Sequence, residues 1–163
     1  MITKRNSIFE TNSSSVHAIV ISKTDKIDVN SLGVAYIPKN PNSFFGWEED
    51  TITDISGKLS YLIAAVTGLT DNDTKIDPLK TRLEGLLCEL GIEAIEYFGV
   101  IDHCTYTREF VDYVLSNLDT LKRYLFSPNS YIVTGNDNGG SKEVFKTLNN
   151  YNSNKVIVFK KGN

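Results

Sequence analysis

Ala18-Ile19-Val20-Ile21 is an unbroken apolar stretch, preceded by a polar run from Glu10 to Ser15 and followed by Ser22-Lys23-Thr24-Asp25. Successive residues of a strand point to opposite faces, so four apolar residues in a row load both sides with hydrophobic surface. Such a strand needs cover on both faces, which places it centrally in a sheet. Val16 to Ser22 is therefore predicted as the first strand, and the rest of the chain has to be built around it. The polar run in front cannot join a core. Asn and Ser side chains compete for backbone hydrogen bonds and favour turns and caps. A turn feeding a central strand sets its side chains at the strand's end, a common place for a ligand in open sheets.

The other elements follow from periodicity and caps. Val34 to Ile37 reads as a short strand stopped by Pro38 and Pro41, and Asn40 to Trp47 as a loop whose aromatics plug the core edge or form a contact surface. A helix is predicted from about Thr53 to Val66, with Thr51, Thr53 or Asp54 as cap, a stripe of Ile55, Leu59, Leu62, Ile63 and Val66, and Gly68 as its stop. The next helix has a cap at Asp77, Pro78 in first position and Gly91 at its end, with Leu79, Leu83, Leu86, Leu87 and Leu90 on one face. Glu93 to Phe98 alternates as a strand would. Thr107 opens a third helix carrying Phe110, Val111, Val114 and Leu115, and Leu118 to Phe126 continues after a break at Asn117, closed by Pro128. Ser130 to Thr134 reads as a strand ending in the loop Gly135 to Gly140, Ser141 to Leu148 as a short helix, and Lys155 to Lys160 as a last strand.

At 163 residues with 40% hydrophobic and 23% charged side chains, the chain is expected to form one α+β domain over 1–163. A single mixed sheet of about four to five strands, with helices mainly on one face, is the predicted architecture. A net charge of −3 lacks the basic footprint of a nucleic-acid binder. Cys88 sits among leucines and is expected in the core, while Cys88 and Cys104 lack metal-ligand spacing. No signal-like apolar segment follows Met1-Ile2-Thr3-Lys4-Arg5 and no run reaches membrane length, so a cytoplasmic location without membrane contact is expected.

Three polar clusters carry chemistry: the serine turn running into His17, the pair Asp102-His103, and Asn136-Asp137-Asn138 beyond a strand. If their strands are neighbours, the clusters converge on one sheet edge. His17, His103, Asp102 and Asp137 are oxygen and nitrogen donors suited to a transition metal, but no HxH or HExxH spacing supports a metal site. Ser13, Ser14 or Ser15 with His103 and an aspartate would make an activated nucleophile, without the G-x-S-x-G elbow. Recognition fits better: hydroxyls and backbone N–H groups of the serine turn and glycine-rich loop suit a phosphate, with Arg5, Lys4 or Arg108 as charge partners. The glycine-rich loop is neither a Walker A nor a GxGxxG pattern. The bland alternatives are a solvent-facing serine turn, a core-edge His17 satisfied by backbone, and ordinary turns at the other two clusters.

The run Arg5…Phe9-Glu10-Thr11-Asn12-Ser13-Ser14-Ser15-Val16-His17 resembles the N-terminal signature of a family of uncharacterised tailed-phage and prophage proteins. The resemblance extends to Ile101-Asp102-His103, to Tyr124 through Ile132, and to Gly135-Asn136-Asp137-Asn138. It implies a phage source, the host cytoplasm as location and a shared polar site, and it supplies no reaction or cofactor.

The expectation drawn from these readings is a phage accessory protein whose polar pocket takes a phosphate-bearing small molecule or nucleotide, by sequestration or catalysis. Ligand contacts are assigned to Arg5, Thr11, Asn12, Ser13, Ser14, Ser15, Asn136, Asp137 and Asn138. His17, His103 and Asp102 are the candidate acid–base groups, since an imidazole titrates near neutral pH. The rival expectation is a non-enzymatic inhibitor of a host protein, acting through Phe44, Phe45, Trp47 and Tyr151.

Overall fold

The computed structural model of the chain describes residues 15–29, 44–45, 50–70, 77–92, 99–101, 107–136 and 152–161. In chain order they form β1 (Ser15–Ser22), β2 (Phe44–Phe45), β3 (Asp50–Ile52), α1 (Ile55–Leu69), α2 (Pro78–Glu89), β4 (Val100–Ile101), α3 (Thr107–Val114), α4 (Leu118–Phe126), β5 (Tyr131–Asn136) and β6 (Val156–Lys161). The fold is α+β. The main sheet runs β3-β5-β1-β6 with every ladder antiparallel, and parallel pairing is confined to the two-residue β2–β4 contact.

All eight residues of β1 are buried and the strand lies between β5 and β6, as its apolar run requires. On one face Ile19 and Ile21 join Ile132 of β5 and the helical core residues Leu62, Val66, Leu83, Phe110 and Leu121. On the other face Ala18 and Val20 pack with Tyr131, Val156 and Val158. The four described helices thus all contribute to the core on one side of the sheet.

α1 begins where Asp54 Oδ1 accepts the Gly57 N–H at 2.7 Å. It is buried from Gly57 through Val66, so it is a central helix rather than one with a single apolar stripe. Ile55, expected in that stripe, is exposed at the first turn. The helix also passes through Gly68 and ends at Leu69, where the Thr70 N–H closes on Thr67 O. Two glycines test the packing. A Cβ on Gly57 would lie 2.5 Å from Ile52 Cγ2 and 2.9 Å from Asp54 Oδ2, whereas one on Gly85 of α2 would meet nothing within 4 Å. Gly57→Ala is expected to destabilise by about 1–3 kcal/mol through overpacking. Gly85→Ala is expected to stabilise by up to about 1 kcal/mol through helix propensity. Urea titrations of the two variants should move in opposite directions; shifts of the same sign would contradict this packing.

α2 has the predicted caps. Asp77 Oδ1 accepts from Leu79 N at 2.7 Å and Lys80 N at 3.3 Å, with Pro78 in first position. Gly91 adopts φ 75°, its N–H donates to Cys88 O, and the Ile92 N–H donates to Leu87 O, each at 2.9 Å. That is a Schellman closure, in which a glycine escapes the left-handed penalty. Leu83, Leu87 and Leu90 are buried at helical spacing. Cys88 is not: it is a free, exposed thiol, one residue of helical rotation away from the buried Leu87. The expectation of a core cysteine is corrected accordingly.

α3 buries Phe110, Val111 and Val114 as expected. Asn117 then breaks the chain and caps α4 by accepting the Thr120 N–H at 2.9 Å, and Ser127-Pro128 ends it. β5 runs two residues beyond the predicted strand, through Gly135 and Asn136, because both pair with β1. β3 has no counterpart among the predicted strands. Phe45 is a plug: it is buried, with its ring 5.1 Å edge-on from Tyr61. The predicted strands 34–37 and 93–98 and the helix 141–148 lie outside the described residues.

Candidate functional site

The antiparallel register of β1 and β5 sets Ser15 opposite Asn136, Val16 opposite Gly135 and His17 opposite Thr134. Ser15 and Asn136 therefore lie at the same end of the sheet. Next to this end, Asp50, Thr134, His17 and Lys161 occupy one row across all four strands. Directly opposed residues face the same side, so His17 and Thr134 both lie on the helix-covered face, each buried.

His17 is held between two hydroxyls. Its Nε2 lies 3.2 Å from Ser15 Oγ, two residues earlier on the same face, and its Nδ1 lies 3.2 Å from the Tyr61 hydroxyl of α1. Ser15, His17 and Tyr61 are all buried. A neutral imidazole offers one donor and one acceptor, and a hydroxyl can take either part. The chain Tyr61–His17–Ser15 can therefore pass hydrogen-bond polarity from the helix to the sheet end in either sense. Both ring nitrogens of His17 thus meet side-chain hydroxyls, where the bland reading expected backbone partners. Tyr61→Phe is expected to cost about 1 kcal/mol of stability and to change the ¹⁵N shifts of the His17 ring. Unchanged imidazole shifts would show that the contact is not made in solution.

The same helix reaches the opposite end of β1. Lys58 is buried, and its Nζ donates to Ser130 O at 3.1 Å and Ser127 O at 3.3 Å, while the Tyr124 hydroxyl donates to Lys58 O at 2.6 Å. Burial pushes the Lys58 ammonium down to about 8, against a smaller opposing pull from Asp54. Around it, Ser22 N donates to Ser130 Oγ, and Asp25 accepts from Ser127 Oγ and Asn129 Nδ2. The Ser127 hydroxyl, then the Asn129 amide, hold the Asp25 carboxyl below its ordinary range.

Of the predicted site residues, Ser15 and His17 are brought together and the backbone of Asn136 is brought opposite Ser15. Lys4, Arg5, Thr11, Asn12, Ser13, Ser14, Asp102, His103, Asp137 and Asn138 lie outside the described residues. Arg108, a candidate charge partner, is instead on the exposed surface of α3, with Nε 2.7 Å from Asp112 Oδ2. That contact, one helical turn away, holds its guanidinium above its ordinary range. Tyr61, Thr134 and Lys58 did not stand out in sequence reasoning. Their signal was the presence of Lys58, Ser60 and Tyr61 inside a helix otherwise apolar enough for the core.

Fold and site together define an α+β protein with an antiparallel sheet β3-β5-β1-β6 and a buried hydroxyl–imidazole–phenol chain near one end of its central strand. No described helix is long and apolar enough to cross a membrane. No protein-family model, curated protein or solved structure matches the chain.

Proposed function

We propose that this chain is a phage accessory protein that binds a phosphate-bearing small molecule or nucleotide at the Ser15–Asn136 end of the sheet. The observation that carries the reading is the register that sets Ser15 against Asn136. It gives the serine turn and the Asn-Asp-Asn segment, both rich in amide and hydroxyl donors, a common origin on neighbouring strands. Residues 11–14 and 136–138 supply the ligand contacts in this reading, and a cytoplasmic setting suits it. His17 is a positioning residue: too buried to touch a ligand freely, it holds Ser15 Oγ through Nε2 and is itself braced by Tyr61. The rival reading, an inhibitor acting through exposed aromatics, loses Phe45, which is in the core.

A thermal-shift screen with inorganic phosphate, nucleotides and cyclic nucleotides tests the proposal. A ligand at a hundred times its Kd should stabilise the fold by about 2.7 kcal/mol. The effect should be lost in Asp137→Ala while the unliganded melt stays cooperative. Silence across the panel would overturn the reading in favour of a protein partner.

A further inference from the structure

We propose that β6 is a docking edge for an extended segment of a partner protein, apolar at its centre and acidic at its ends, which adds to the sheet as a further strand. β6 is the outer strand of the order β3-β5-β1-β6, and among the described residues no strand pairs with its far side. The phase of the ladder fixes which backbone groups face outward. Lys23 N–H donates to Lys155 O at 2.8 Å, and hydrogen-bonded and open pairs alternate along an antiparallel ladder. Ile157 and Phe159, opposite Ile21 and Ile19, therefore bond to β1, while the N–H and C=O groups of Val156 and Val158 point away from it. Ser22 N–H, which donates at 3.0 Å to Ser130 Oγ on the β5 side, agrees with this phase. Val156 N–H turns back to Asn152 O at 3.3 Å, and Val158 leaves a donor and an acceptor on the edge.

Side chains define what such a strand must carry. Ile157 and Phe159 on the helix-covered face, and Val158 on the other, are only half-buried, so the middle of the edge is apolar and accessible. Phe159 is backed by Phe110 and by the half-buried Tyr113 of α3, whose ring lies 5.6 Å away. The ends of the edge are basic. Lys155 stands exposed at one end and Lys160-Lys161 close the other, and the run Asn152 to Lys161 has no acidic residue in a chain whose net charge is −3. In β-strand addition, main-chain hydrogen bonds supply affinity and alternate side chains supply specificity. Lysines on an edge oppose pairing with strands that lack the opposite charge. A second copy of this chain would bring the same lysines to the seam. A strand with an apolar centre and carboxylates at its ends complements both features.

The test is a titration of ¹⁵N-labelled full-length protein with a synthetic peptide of alternating valine and threonine, flanked by glutamates at both ends. The backbone amides from Val156 to Lys160 should shift together and saturate. With the peptide at about ten times its Kd, hydrogen exchange at Val158 N–H should slow roughly tenfold, because exchange needs the unbound edge. A lysine-flanked peptide of the same centre should not saturate these shifts. Nor should a glutamate-flanked peptide with a central proline, which lacks a backbone donor. Lys155→Glu, a change at an exposed side chain, should weaken binding of the glutamate-flanked peptide several-fold. These readouts are local to β6, so they stand apart from any ligand at the Ser15–Asn136 end. Amides that stay still, an equal response to the lysine-flanked peptide, or indifference to Lys155→Glu would each overturn the proposal. Protection of Val158 N–H that grows with protein concentration in the absence of peptide would overturn it in favour of a second copy.

Discussion

Phe110→Ala is expected to destabilise this protein by about 3–5 kcal/mol, the range for deleting a fully buried aromatic ring. Phe110 is 0% exposed and is the hub of the aromatic core. Its ring lies 5.3 Å from Tyr124, 5.9 Å from Tyr61 and 6.0 Å from Phe159, all near edge-on. Each such contact adds about 0.5–1.5 kcal/mol beyond area burial. The ring ties α3 to α1, α4 and β6 at once, so no single neighbour can collapse into the cavity. Phe110→Leu keeps much of the volume and should lose clearly less. Urea unfolding of both variants measures this, and equal losses would show that the ring contacts, not the volume filled, matter at the hub. Through Tyr61 the same deletion should loosen His17, making the imidazole ¹⁵N shifts a second readout.

The second large effect is a stability that rises with pH. Lys58 titrates at about 8 in the folded chain because burial disfavours its ammonium, against an ordinary value of 10.5. Between those values the unfolded chain binds more protons than the folded one, so unfolding becomes harder as pH rises. The penalty is fully present below 8 and is relieved progressively as the pH rises from 8 towards 10.5. Tyr124 works the other way. Burial holds its phenol well above 10, so above that pH the unfolded chain alone ionises and stability falls again. Stability should therefore climb from pH 8, peak near pH 10 and then decline. Lys58→Met should abolish the climb. It also removes the donor to Ser127 O and Ser130 O, so at neutral pH loss of the buried charge and loss of two hydrogen bonds oppose each other. Parallel pH profiles for the two proteins would refute the assignment.

Some of this architecture is written locally. The start and stop of α2 follow from Asp77, Pro78 and Gly91, and the break before α4 from Asn117, because a cap is decided within one helical turn of its own sequence. The central place of β1 follows from Ala18 to Ile21, since both faces of that stretch demand cover. His17 and the serine run stand out as a polar segment entering a core strand.

Other features depend on partners far away in the chain. β3 is three residues long and exists by pairing with β5, about 80 residues later, so its own composition carries no strand signal. The alignment of Ser15 with Asn136 is a register choice, and a slip of one residue would send every side chain to the other face. Lys58 looks like a solvent-facing lysine until Ser127 and Ser130 bring carbonyls to its tip. Cys88 looks like a core residue until the rotation of α2 against the core turns it outward. The sequence by itself determined where α2 begins and ends, where α4 begins and which strand lies at the centre, because those depend on contacts within a few residues. The tertiary structure alone decided which polar groups meet, because hydrogen bonds across 44 residues from His17 to Tyr61, or 72 from Lys58 to Ser130, leave no local trace in either segment.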